Sequence, residues 1–141
     1  MSERPDPNLA EARRWLAQAD EELATAGRLA SDTETPPRIA CFLAHLAAEK
    51  AMKAWLISLG IPFRRVHDLA EPLALMPTDA AGEIDVADLQ MLNPWTILGR
   101  YPDDVATATT EQAEACVEAA GRVLDAASAA IGNKASDGQR G

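Results

Sequence analysis

The stretch Ala44–Leu56, AHLAAEKAMKAWL, sits inside the longest apolar-periodic run of the chain and decides how the rest is read. Successive residues on an α-helix turn by roughly 100°. On that wheel Ile39, Leu43, Leu46 and Ile57 share one side, while Ala44, Ala48, Ala51 and Trp55 line the side away from Ile39 and Leu43. A helix apolar on most of its circumference is central to a bundle or lies at a subunit interface. Yet Lys50 and Lys53 fall beside Leu46, with Glu49 next to them. Two readings follow. The lysines snorkel, laying their methylenes on apolar neighbours while the ammonium groups reach water or a carboxylate. Asp20, Glu21 and Glu22 are the candidate partners. Alternatively they form a cationic spot for a nucleotide phosphate.

Working outward, Pro37 to about Leu59 reads as one helix. Thr35 is placed to cap it, prolines suit its first turn, and Gly60 is its natural stop. Upstream, Leu9, Ala12, Leu16, Ala19, Leu23, Ala26 and Ala30 recur at spacings of three and four, a helix with one sustained seam. Asn8 with Glu11 has the form of a capping box at its start. SDTETPP, Ser31–Pro37, breaks the two helices apart. Downstream, short helices are expected from Asp68 to about Met76 and from about Asp85 over VADLQMLN, with Asn93-Pro94 as a breaker. Thr109 with Gln112 makes a second capping box. The last long helix then runs to Ile131, with Gly132 as its stop.

The sum is an all-α, up-and-down bundle of about five helices, three long and two short, with no convincing strand. Residues 1–7 read as a flexible leader, 8–132 as the bundle and 133–141 as a disordered polar tail. The length, 141 residues, is that of one domain. Aromatics make up only 4% against 48% hydrophobic residues, so Ala and Leu supply the core, which fits helices rather than sheets. The formal net charge of −9 repels polyanions and argues against a general DNA or RNA binder, leaving nucleic acid only a local basic patch.

No apolar run approaches the ~20 residues of a membrane span, and MSERPDPN lacks the character of a signal peptide. A cytoplasmic protein is expected. Two cysteines without a CxxC, Cys41 and Cys116, and two histidines, His45 and His67, do not make a metal site. No metal and no cofactor are expected. The thiols read as buried and reduced.

Three groups of residues carry chemistry. Arg38, His45 and Glu49 share a stripe of the second helix: an arginine for phosphate and a histidine for proton transfer oriented by Glu49, or else a solvated stripe with one ion pair. FRRVHD, Phe63–Asp68, is the most basic short patch of the chain. Arg64, Arg65 and His67 are candidate phosphate ligands there, and a helix cap is the plainer role of His67. Arg100 and Tyr101 sit on a turn made by Pro102, placed to clamp an anion or stack on a base.

CFLAHLAAEKAMKAWLISLGIPF at Cys41–Phe63, His67-Asp68-Leu69, and RYPDD at Arg100–Asp104 before an Ala-rich helix together resemble a HEPN domain (higher eukaryotes and prokaryotes nucleotide-binding), over about Ala10 to Ile131. The resemblance implies an all-α bundle, a homodimer, and pairing with a small nucleotidyltransferase encoded nearby in a toxin–antitoxin-type system. It also implies, as an alternative, a metal-independent ribonuclease acting through an Arg-x(4–6)-His motif near the last long helix. Arg100 lies in that region, but YPDDVAT follows it, with no histidine. Arg38 to His45 has the spacing on the wrong helix. The candidate catalytic residues are therefore Arg100, Tyr101, His45 and Arg38, with Tyr101 also a candidate acceptor for nucleotidylation. Lys50, Lys53, Arg64, Arg65, His67 and Arg100 are candidates for nucleotide or phosphate binding. The first expectation is a dimeric binding partner of a nucleotidyltransferase, with nucleotide or RNA as a possible ligand. The plainest is a helical interaction module without ligand.

Overall fold

The first helix begins earlier than the sequence pattern suggests. In the computed structural model, which describes residues 6–96 and 107–140, α1 spans Pro7–Ala30. Asp6, not Asn8, is its cap, and its carboxylate accepts from the Asn8 N–H at 2.9 Å. Pro7 takes the first helical position, where its missing N–H costs nothing. Along α1 the alanines at 12, 19 and 26 are fully buried at seven-residue intervals. Their small side chains let the helix lie close against α2, Pro37–Ser58.

α2 is the central element, packed against α1 and against the last helix. It starts without a side-chain cap. Pro36 holds the cap position, and Thr35 donates its hydroxyl to Asp32 at 2.7 Å instead. Its end follows expectation. Gly60 adopts φ +71, the Ile61 N–H donates to Leu56 O, and the Gly60 N–H to Ile57 O. This paired closure of the last carbonyls needs a left-handed residue, which glycine supplies without strain.

Among the described residues the long connection holds three short helices, one more than the sequence pattern indicates: α3 Ala70–Leu75, α4 Thr78–Ala81 and α5 Val86–Leu92, then a 3-10 turn at Asn93–Trp95. Pro77 precedes α4 and Gly82 closes it, so a single turn forms between two breakers. Leu69, Pro72, Met76, Ile84, Leu89 and Leu92 send apolar groups from this connection into the core. α5 is tied to the last helix by a two-point bond, Arg122 donating to both Asp88 oxygens at 3.0 and 2.8 Å.

The last helix, α6, spans Thr110–Arg140. The Thr109–Gln112 capping box forms in both directions, at 2.8 and 3.1 Å. The stop expected at Gly132 is not one, and the helix continues to Arg140. Gly132 does not take the left-handed conformation of a helix stop. No proline follows it, and an exposed helical glycine costs only about 1 kcal/mol against alanine.

The fold is thus all-α, with three long helices packed together over a main apolar cluster and a smaller one, and no strand among the described residues. No described helix is long and apolar enough to cross a membrane. Cys41 and Cys116 are free and buried. The Cys41 thiol beside it, together with burial, pushes the Cys116 thiol up.

The alanine seam sets the closeness of α1 and α2. Ala19→Leu should lower unfolding stability by about 1–3 kcal/mol through overpacking, measured by urea denaturation. Asp20→Lys, at the neighbouring exposed position, should leave stability nearly unchanged.

Candidate functional site

Glu49 is the centre of the polar interior. Position 49 lies on the α2 face covered by the connection after Gly60, so its carboxylate meets groups from two segments at once. Lys53, one helical turn on, donates to Glu49 Oε2 at 3.1 Å, and His67 Nδ1 donates to Oε1 at 2.9 Å. His45 Nε2 stands 3.5 Å from the same Oε1. Burial alone would push the Glu49 carboxyl up. The bonds from His45 and His67 and the Lys53 ammonium win, and hold it down to about 2.

Two partners of Glu49, Lys53 and His45, also hold the segment Val66–Leu69, to which His67 itself belongs. Lys53 donates to Val66 O at 2.9 Å, and its ammonium lies 5.5 Å from the Phe63 ring centroid. Phe63 meets Trp15 of α1 edge-on, at 5.7 Å. His45, 0% exposed, holds Nε2 at 2.9 Å from His67 O and Nδ1 at 3.0 Å from Leu92 O. Asn93 completes the clasp. Its Oδ1 accepts from the Leu69 N–H and its Nδ2 donates to Asp68, both at 3.0 Å. The Ala70 N–H and the Asn93 amide hold the Asp68 carboxyl below the usual range.

The sequence candidates therefore separate into distinct places. Lys50 reaches Glu22 of α1, one of the three expected carboxylates. Lys53 reaches none of them; it is 5% exposed and spends its donors on Glu49 and Val66. Neither ammonium is left as an open phosphate ligand. Glu49 holds His67 more closely than it holds His45. His45 has no exposed surface and no free nitrogen, so it is not placed to transfer a proton to a ligand, and Arg38 with His45 does not make a catalytic pair. Arg38 is half-buried, with its Nε lacking a partner among the described residues.

Arg64 is exposed on Glu71, Arg65 is exposed, and the His67 side chain is 62% exposed. Arg100 and Tyr101 lie outside the described residues. Sequence reading missed Asn93 and the Leu92 carbonyl. The Asn-Pro breaker marked the place, but only the folded path of the connection brings it to Asp68. No cluster of metal-ligating side chains occurs among the described residues.

What this arrangement does chemically is narrow. The buried pairs neutralise one another and fix a loop. The Glu49 carboxylate accepts from the Nδ1 side of the His67 ring, and Nε2 has no hydrogen-bond partner among the described residues.

The comparisons bear on the fold as a whole. The HEPN domain family model matches residues 12–130. A crystal structure of TT1696 from Thermus thermophilus is similar at TM-score 0.72 and 27% identity, over 84% of this chain and 97% of that one. The crystal structure of ST0689, an archaeal HEPN homologue, is similar at TM-score 0.66 and 28% identity, over 85% and 97%. No curated protein matches the chain.

The folded Glu49 carboxyl lies below its ordinary 4.5. Its stabilisation is therefore complete above about that pH and is lost as pH falls towards 2. Glu49→Gln should flatten that part of the acid limb. It should also lower stability at neutral pH by roughly 3–5 kcal/mol, because Lys53 is left buried without its carboxylate. Urea denaturation at acid and neutral pH checks both; an unchanged acid limb would contradict the geometry.

Proposed function

The chain belongs to the HEPN domain family, and on that basis we propose that it acts as a homodimeric binding partner of a small nucleotidyltransferase in a toxin–antitoxin-type pair. The observation carrying this reading is on α2. Ile39, Phe42 and Leu46, at i, i+3 and i+7, are half-buried and lie outside the packed apolar clusters of the described residues. That spacing is the stripe a partner helix needs. Meanwhile Lys50, Lys53 and Arg64 are engaged by carboxylates of their own chain. With a net charge of −9, little cationic surface remains for a long polyanion. A nucleotide, if bound, would meet Arg65 and His67 on the exposed loop.

The purified chain should elute at about twice its 15.0 kDa mass in size-exclusion chromatography with light scattering. Phe42→Glu should shift it to a monomer with unchanged helical circular dichroism. Co-expressed with the product of the adjacent gene, it should co-elute with a nucleotidyltransferase. Separate elution, or a neighbour of another kind, would refute the partnership.

The alternative is a metal-independent endoribonuclease. The specific observation favouring it is the His67 imidazole, oriented by Glu49 and open to solvent, as a general base requires. RNA left intact by the dimer in the presence of a chelator would remove this reading. An interaction module without ligand would show no thermal shift with any nucleotide.

A further inference from the structure

An exposed loop histidine ordinarily keeps its rotamer freedom; His67 does not. Its side chain is bonded at Nδ1 by Glu49, its carbonyl by His45, the carbonyl before it by Lys53, and the segment after it by Asn93. Burying Glu49, Lys53 and His45 together is expensive, and a set of well-packed apolar side chains would hold the loop as well or better. What an apolar set cannot do is fix the tautomer and aim of one ring. Among the described residues Nε2 has no hydrogen-bond partner, and the side chain is 62% exposed.

The charges around it set what can approach. Lys53, Arg64 and Arg65 offset Glu49, Asp68 and Glu71, so the loop is locally balanced in a chain of net charge −9. An anionic small molecule meets less repulsion here than over most of the surface.

We propose that His67 is a nucleophilic phosphoryl-acceptor site, with Glu49 as its positioning residue, for a small phosphoramidate or acyl-phosphate donor. The Nε2 lone pair forms the N–P bond as the donor's P–N or P–O bond breaks. The amine or carboxylate of the donor leaves with the electron pair. The ring becomes a cation whose Nδ1–H already points at the Glu49 carboxylate, 2.9 Å away, and charge there is neutralised as it develops. The Nδ1 proton then passes to the departed amine or to water, which leaves a phosphohistidine whose ring is neutral. His45 is the internal contrast, with the same chemistry but no free nitrogen and no exposure. The site does not depend on the nucleotidyltransferase or ribonuclease readings, since neither RNA nor a protein partner enters it.

The test is incubation of the full chain with ammonium phosphoramidate, followed by phosphorus NMR and by site mapping in alkali, where phosphohistidine survives. Incorporation should fall on His67, at Nε2, at about ten-fold or more the rate seen for the same chain unfolded in urea, the scale on which orienting partners act. Glu49→Gln, confirmed folded by circular dichroism, should lose that excess. His67→Asn should abolish it. Incorporation at Nδ1, at His45, or at His67 no faster than in urea would overturn the proposal. The comparison of folded with unfolded wild-type chain keeps the test decisive even where Glu49→Gln does not fold.

Discussion

A single carboxylate, that of Glu49, is the point on which this structure turns. It is buried, so it must stay ionised against desolvation or leave Lys53 as an unpaired charge in the interior. It stays ionised because the chain brings Lys53, His67 and His45 to it. Lys53 and His45, on the same helix as Glu49, also grip the backbone that covers it. Charge neutralisation and loop placement are therefore coupled: a loop that leaves takes His67 from the carboxylate and two carbonyl acceptors from Lys53 and His45.

That clasp needs α2 to be surrounded, and the alanines make it so. Ala12, Ala19 and Ala26 on α1 and Ala113, Ala120 and Ala127 on α6 carry no bulk to hold the long helices apart. Close helices leave little interior volume, and the scarcity of aromatics follows from this. Of the few described, Trp55 is buried in the core, while Phe63 sits between Lys53 and Trp15 and closes the clasp on the α1 side. A second tie, Arg122 on Asp88, fixes α5 to α6 and so fixes the Leu92 carbonyl that His45 needs.

The outcome divides the conspicuous residues of the family motif into inside and outside. Glu49, Lys53 and His45 are interior, and their chemistry is holding. His67, Arg64 and Arg65 remain at the surface, on a loop that the interior set keeps in one position. The proposed group transfer uses His67 of that outward part, and the proposed partner docking uses the half-buried stripe of Ile39, Phe42 and Leu46.

The sequence by itself determined what depends on neighbours in the chain. The three-four spacing of Leu and Ala marked α1, α2 and α6, Gly60 marked the end of α2, and Thr109 with Gln112 marked the start of α6. These signals are local, acting within a turn or two of helix. Where local rules compete they misled: Pro7 placed the cap at Asp6, and Gly132 proved an ordinary helical residue. Tertiary structure alone decided the pairings. Lys50 chose Glu22, 28 residues away, His67 chose Glu49 across 18, and His45 chose the Leu92 carbonyl across 47. Spacing along a helix shows that two charges share a face. It cannot show which segment will cover that face, because this depends on the path of a long connection, settled by how its apolar residues fill the core.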